Sequence, residues 1–269
     1  EENLFTFNYI YNGAGVGIID VNNDGLQDIY FTGNQVPDKL YLNKGNFKFE
    51  DISSSAGIDQ FGGWHNSVST VDINNDGYID LYICRGGFKN VNRSNRNLLF
   101  INNKNNTFTE QAVSYGIADE GYSIASSFFD YDNDNDLDLI VTNRPDHWSV
   151  DADEIIRVKK RDSIDLATTT RLYRNNGNNS FSDVSKETGI FPNYSYGLSA
   201  TTGDINNDGM CDIYISNDFV ENDYFYINSG PGTFKEMIKN VTNHVPYYAM
   251  GTDFGDIDND GNEEIYSVE

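Results

Sequence analysis

Cysteine and tryptophan occur only twice each in this 269-residue chain, methionine and histidine three times and proline five times. Two cysteines do not make a disulfide scaffold. Cys84 and Cys211 fall in non-neighbouring repeats and read as small buried hydrophobes rather than a bridge. So few His and Cys leave little with which to hold zinc, copper or iron. Positive charge is also scarce: 18 Lys and Arg face 42 Asp and Glu, for a net charge of −24. Nucleic-acid binding is excluded on that balance, because phosphate contacts need Lys and Arg. No apolar run approaches the roughly 20 residues of a membrane-spanning helix, so any membrane tether would come from residues outside this chain. There is neither a Gly-x-Ser-x-Gly elbow nor a Cys–His signature.

What the chain has in abundance is one acidic nonapeptide, five times over. It reads Asp20-Val-Asn22-Asn-Asp24-Gly-Leu26-Gln-Asp28, and it returns at Asp72–Asp80, Asp130–Asp138, Asp204–Asp212 and Asp256–Glu264. Oxygen-bearing side chains stand at relative positions 1, 3, 5 and 9. They are Asp20, Asn22, Asp24 and Asp28; Asp72, Asn74, Asp76 and Asp80; Asp130, Asp132, Asp134 and Asp138; Asp204, Asn206, Asp208 and Asp212; Asp256, Asp258, Asp260 and Glu264. Position 7 would add a backbone carbonyl from Leu26, Tyr78, Asp136, Met210 and Asn262. Calcium takes six to eight oxygens in flexible geometry, and a short loop whose alternate residues turn inward supplies them. Gly at position 6 permits the turn, and Asn135 in the third copy is the next most tolerant residue there.

An EF-hand begins the same way but needs a bidentate Glu at position 12. That position holds Phe31, Ile83, Val141, Ile215 and Ser267, none of them a suitable ligand. The residues after each loop, such as Ile29-Tyr-Phe31 and Leu81-Tyr-Ile83, are β-branched or aromatic and predict strand. The composition then makes sense. Seventeen of the 42 acids sit at loop positions 1, 3, 5 and 9, and five calcium ions would leave a net charge of about −14. Weak loops of this kind fill where calcium is near millimolar, which predicts an extracellular or cell-surface location, with any targeting segment upstream of Glu1.

The loops start 52, 58, 74 and 52 residues apart, a period of repeat arrays and propellers. Four strand-like segments accompany each. One leads into the loop, as in Gly15–Ile19, Ser67–Val71 and Ala125–Phe129, and one follows it. A third is Lys39–Asn43, Asn97–Asn102, Arg171–Asn175 and Asp223–Asn228, and a fourth starts near Phe47, Thr107, Ser180 and Thr233. Four short antiparallel strands make one propeller blade. The predicted fold is all-β, with blades near 12–60, 61–118, 119–192 and 193–244, an incomplete one at 245–269, and an insertion at 143–171. Small residues alternate in the lead-in strand, at Gly13, Gly15 and Gly17 and at Ser123, Ala125 and Ser127, which predicts crowding where blades converge.

The pattern Asp-x-Asn-x-Asp-Gly-x-x-Asp-Ile-Tyr, then Leu-Tyr-x-Asn-x-Gly, then Phe-x-Asp resembles the FG-GAP, or VCBS, repeat of integrin-α-like β-propellers. Phe31–Val36, Leu40–Gly45 and Ser216–Tyr224 resemble the subgroup related to cartilage acidic protein, found in secreted or surface proteins of Bacteroidetes-type bacteria. The resemblance spans essentially the whole chain. It implies a propeller of usually seven blades, so this chain would be a segment of a longer one. It also implies partner contacts on the face opposite the calcium loops. On that face the expected ligand residues are Trp64, His65, Arg144, Asp146, His147, Trp148 and Tyr248, with the charged stretch Asp153–Arg161 as a short helix. The expected function is a calcium-stabilised surface propeller that binds a protein or glycan and is not an enzyme. In such bacteria it would serve as an accessory subunit of an outer-membrane nutrient-uptake complex. The alternatives are a propeller-based polysaccharide-acting enzyme and a purely structural adhesion module.

Overall fold

A computed structural model describes residues 12–87, 95–145, 166–190, 193, 196–218, 221–230 and 232–269. Asp146, His147, Trp148 and the Asp153–Arg161 stretch lie outside these described residues.

Each repeat becomes a sheet whose strands hydrogen-bond in chain order. The first holds β1 (Val16–Ile19), β2 (Asp28–Phe31), β3 (Lys39–Asn43) and β4 (Phe49–Asp51). The second holds β5 (His65–Val71), β6 (Asp80–Arg85), β7 (Leu98–Asn102) and β8 (Phe108–Glu110). The third holds β9 (Ser123–Phe129), β10 (Asp138–Asn143), β11 (Arg171–Asn175) and β12 (Phe181–Asp183). The fourth holds β13 (Gly197–Gly203), β14 (Asp212–Asn217), β15 (Tyr224–Asn228) and β16 (Phe234–Glu236). A pair, β17 (Gly251–Gly255) and β18 (Glu264–Val268), begins a fifth. All recorded pairings are antiparallel. These are the blades of a β-propeller, as the repeat period and strand patterning predict.

The chain forms two compact units, one running up to Ser123 with Asn178–Phe181 and the other Ile124–Gly177 with Ser182–Glu269. In the first, Ile19, Tyr30, Leu40, Leu42 and Ile58 of the first blade pack with Leu81, Ile83, Leu98 and Phe100 of the second. In the second, Phe129, Ile140, Leu172 and Ile190 pack with Ile213, Ile215, Tyr226 and Phe234. Tyr214 and Phe225 on the far side of that blade meet Phe254 and Ile265 of the fifth. A middle strand such as β6 is therefore buried along its whole length, which is why it reads as a continuous apolar run rather than an alternation.

A feature the strand periodicity did not predict is a one-turn helix after each fourth strand: α1 (Ser53–Ala56), α2 (Ala112–Tyr115), α3 (Ser185–Thr188) and α4 (Ile238–Val241). The acid that ends the strand holds its first turn. Asp51, Glu110, Asp183 and Glu236 accept the N–H of Ser53, Ala112, Ser185 and Ile238 at 2.7–3.0 Å, the usual role of an acid at a helix start. Left-handed Gly57, Gly116 and Gly189 end three of the turns and deliver Ile58, Ile117 and Ile190, all fully buried, into the core.

The expected crowding in the lead-in strand holds at two of the three glycines. A Cβ on Gly15 would stand 2.7 Å from the Ser67 Cα, and one on Gly17 would stand 3.1 Å from the Thr70 methyl. A Cβ on Gly13 would meet nothing within 4 Å among the described residues. Gly15→Ala is therefore expected to destabilise the protein by about 2 kcal/mol through backbone displacement, while Gly13→Ala stays within about 0.5 kcal/mol. Urea unfolding of both variants checks the contrast.

Candidate metal centres in the blade loops

Each acidic nonapeptide spans the turn from a blade's first strand to its second. Where the register is recorded, the last residue of the first strand pairs with loop position 9: Ile19 with Asp28, Val71 with Asp80, Gly203 with Asp212, Gly255 with Glu264. The loop interior repeats one hydrogen-bond scheme. The two oxygens of the position-1 Asp accept the N–H groups of positions 5 and 6, at 2.8–3.2 Å. The position-5 Asp accepts the N–H of position 7, at 2.8–3.0 Å. Position 6 is left-handed in all five, from φ 70° at Asn135 to 90° at Gly261. Position 4 is left-handed as well: Asn23, Asn75, Asn133, Asn207 and Asn259 have φ of 54–61°. Two left-handed residues wind the chain tightly enough to bring the carboxylates together. Asn stands at position 4 in all five copies, a signal for this second turn beyond the glycine at position 6.

The position-9 acid does something different. In the first four loops it is buried at the base and ties the loop to the third strand, whereas Glu264 is half-exposed and accepts the Ile257 N–H at 2.9 Å. Asp28 accepts the Val21 N–H at 2.8 Å with one oxygen and the Asn43 N–H of β3 at 2.7 Å with the other. Asp80 does so with Ile73 and Asn102, and Asp138 with Tyr131 and Asn175. Asn228 likewise donates to Asp212 at 2.8 Å. The Asn at the end of each third strand, whose role the sequence reading left unassigned, is thus the partner of the loop. Its amide adds a link between blades. Asn102 donates to the Val21 carbonyl at 2.8 Å and Asn228 to the Tyr131 carbonyl at 2.7 Å, each in the preceding blade's loop. Position-4 side chains also tie loop to loop. Asn23 donates to the Gly77 carbonyl at 2.8 Å, Asn133 to the Gly209 carbonyl at 3.0 Å, and Asn207 to the Asn262 amide oxygen at 3.0 Å.

The residues fit a hard divalent cation. Asp130, Asp132 and Asp138 in the third loop, and Asp256, Asp258 and Asp260 in the fifth, each offer an oxygen within 4.8 Å of the others. The first, second and fourth loops carry the neutral oxygens of Asn22, Asn74 and Asn206 at position 3. Asp132 Oδ1 is buried with no hydrogen-bond partner. Burial, then neighbouring carboxylates, raise the position-9 acids: Asp80 and Asp138 to about 7 and Asp212 to about 6. Asp28 and Asp132 are raised for the same first reason. A site built from mutually repelling, partly desolvated carboxylates is one that a cation relieves. Cys211 stands at position 8 of the fourth loop, outside the oxygen-bearing positions, and burial and then Asp204 push its thiol up. Cys84 and Cys211 are both free.

The residues expected at the opposite, lead-in end of the blades fare differently. Trp64, His65 and Arg144 are only 7%, 1% and 2% exposed. His65 Nδ1 meets the Asp38 carboxylate at 2.8 Å. Asp38 in turn accepts the Tyr30 hydroxyl at 2.5 Å and the Gly33 N–H at 2.7 Å. Arg144 donates to the Pro145 carbonyl at 2.8 Å. Among the described residues these three side chains are buried, at positions where the sequence predicts an accessible surface. Tyr248 is 47% exposed and meets the Tyr247 ring edge-on at 4.7 Å.

The sequence profile of the FG-GAP-like repeat matches residues 20–83, 90–141, 163–215 and 204–267. Cartilage acidic protein 1 of Xenopus tropicalis is 28% identical over 159 residues, covering 57% of this chain and 23% of that protein. Integrin alpha-8 of Gallus gallus is 29% identical over 143 residues, covering 48% of this chain and 14% of that protein. The chain thus spans about a quarter or less of these relatives. Among solved structures, a lectin from Agrocybe aegerita, described for recognition of non-reducing terminal N-acetylglucosamine, superposes with a TM-score of 0.45. It shares 16% identity and covers 86% of this chain and 54% of its own.

The raised acids predict how the metal-free protein responds to pH. A carboxylate raised on folding stabilises the fold most below its unfolded value, and that contribution is lost as pH rises through the folded value. In chelator, the melting temperature is expected to fall between pH 5 and about 8, as Asp80, Asp138 and Asp212 ionise. Calcium would flatten or invert the trend. Thermal scans across pH, with and without calcium, check both parts.

Proposed function

The chain belongs to the FG-GAP-like repeat family, and on that premise we propose that it is a calcium-stabilised β-propeller module that works outside the cytoplasm and binds a protein or glycan partner. The observation that carries the reading is the fivefold loop with its wound backbone, together with the converging carboxylate oxygens of the third and fifth copies. Positions 1, 3, 5 and 9 would hold the ion together with the carbonyl at position 7. The ion would supply charge neutralisation rather than reaction chemistry. The proposed location is one where calcium is near millimolar, the range in which extracellular calcium modules bind. Among the described residues, no helix is long and apolar enough to cross a membrane.

The partner surface we propose centres on Tyr247 and Tyr248, just ahead of β17 and thus at the end of the blade away from its loop. Both rings are substantially exposed, as is Met250. Aromatic side chains are common anchors in recognition. A non-catalytic role fits the loop carboxylates, which would be committed to the metal, and the burial of His65 and Arg144.

Calcium at 100 times its dissociation constant stabilises by about 2.7 kcal/mol per site. The melting temperature is expected to rise with millimolar calcium and to drop in chelator, and Asp24→Ala is expected to lose one site's share. A melt indifferent to chelator would exclude the calcium reading. On a glycan and protein-ligand array, Tyr248→Ala is expected to lose signal with an unchanged melting temperature. Equal signal from both proteins would remove the Tyr247–Tyr248 surface.

A further inference from the structure

One loop differs from the rest in having a lysine built against it. Two residues after the Asn that ends the third strand, three blades carry a glycine with positive φ: Gly45, Gly177 and Gly230. The second blade carries Lys104 there, at φ 64°, a left-handed conformation that a side chain with a Cβ adopts only at a cost. Its backbone is anchored to the loop machinery. The Lys104 N–H donates to Asn102 Oδ1 at 2.8 Å, and the Asn102 N–H donates to Asp80 Oδ1 at 2.8 Å. The ammonium then reaches the loop itself, with Nζ 3.3 Å from Asp76 Oδ2 and 5.4 Å from the centre of the Tyr78 ring. Asp76 Oδ1 already accepts the Tyr78 N–H at 3.0 Å. Both oxygens of the position-5 acid are therefore engaged, one of them by a full positive charge. In the first loop the corresponding Asp24 Oδ2 meets only the neutral amide of Asn22, at 3.1 Å. Among the described residues, Lys104–Asp76 is the one ion pair made to a loop carboxylate. In the third loop the charge of Arg174 acts on Asp132 without an ion pair among the described residues.

We propose that Lys104 is a tethered cation that competes with calcium for Asp76 and makes the second loop the weakest of the calcium sites. The inference rests on the calcium reading above. A calcium ion taking Asp76 must displace the ammonium or bind beside it. The second loop would then be the one that empties first when calcium falls, while the other loops stay filled. Tyr78 follows from the same arrangement: its ring gives the displaced ammonium a second contact.

Tyr78 also offers a local reporter. Terbium bound at the second loop would luminesce through the neighbouring tyrosine, and calcium titration would displace it. The titration is run on the whole chain as wild type, Lys104→Gln, Lys104→Arg and Asp76→Asn. Asp76→Asn identifies the signal belonging to this loop. Lys104→Gln is expected to tighten calcium at that site about tenfold, from the loss of one charge a few ångströms from the ion. Lys104→Arg, which keeps the charge, is expected to stay near wild type. An Asp76-dependent affinity in Lys104→Gln within twofold of wild type overturns the role of Lys104 while leaving calcium binding intact. Absence of any calcium or terbium binding in all four proteins overturns both readings.

Discussion

The four complete blades depend on a carboxylate buried at the base of the loop: Asp28, Asp80, Asp138 and Asp212. Asp28, Asp80 and Asp138 each accept one N–H from the loop and one from the third strand. A single side chain thereby fixes the loop's start, the second strand's first residue and the third strand's last. A single backbone carbonyl in that place could not reach both donors with separate oxygens. The cost is a desolvated acid beside two or three others, which raises Asp80 and Asp138 to about 7. The arrangement is strained in charge but not in shape. That combination suits a loop shaped to hold a cation.

The same loops also join blade to blade. Asn102 and Asn228 donate to carbonyls in the preceding blade's loop, and Asn23, Asn133 and Asn207 reach the following one. Apolar packing between blades, such as Tyr30 and Leu40 with Leu81 and Phe100, supplies the bulk attraction. Register between sheets is set by these directional amides, since apolar faces alone tolerate sliding. A metal ordering one loop would therefore stiffen its neighbour within the same unit.

Much of this was legible in the sequence, for a physical reason: repetition averages out local ambiguity. One Asp-rich turn is weak evidence, but five with the same spacing located the loops, and an apolar and aromatic run ending in Asn located the third strands within a residue. The short helices were not legible, because a single turn has no period to detect. The fate of His65 was not legible either. Its neighbours Gly62, Gly63 and Trp64 look like a surface turn, but Asp38, 27 residues away in sequence, draws the ring inside. Burial of a polar side chain depends on a distant partner, and composition carries no record of it. Gly13 makes the same point in reverse, since its match to the Gly15 and Gly17 pattern did not bring a neighbour close.

The claim that five like loops are shaped for calcium is tested most directly by anomalous diffraction from crystals grown in millimolar calcium. The account predicts a peak inside each loop, bounded by the side chains of positions 1, 3, 5 and 9, with the weakest at the second loop. A map with no loop peaks, or with density only at lattice contacts, would contradict it.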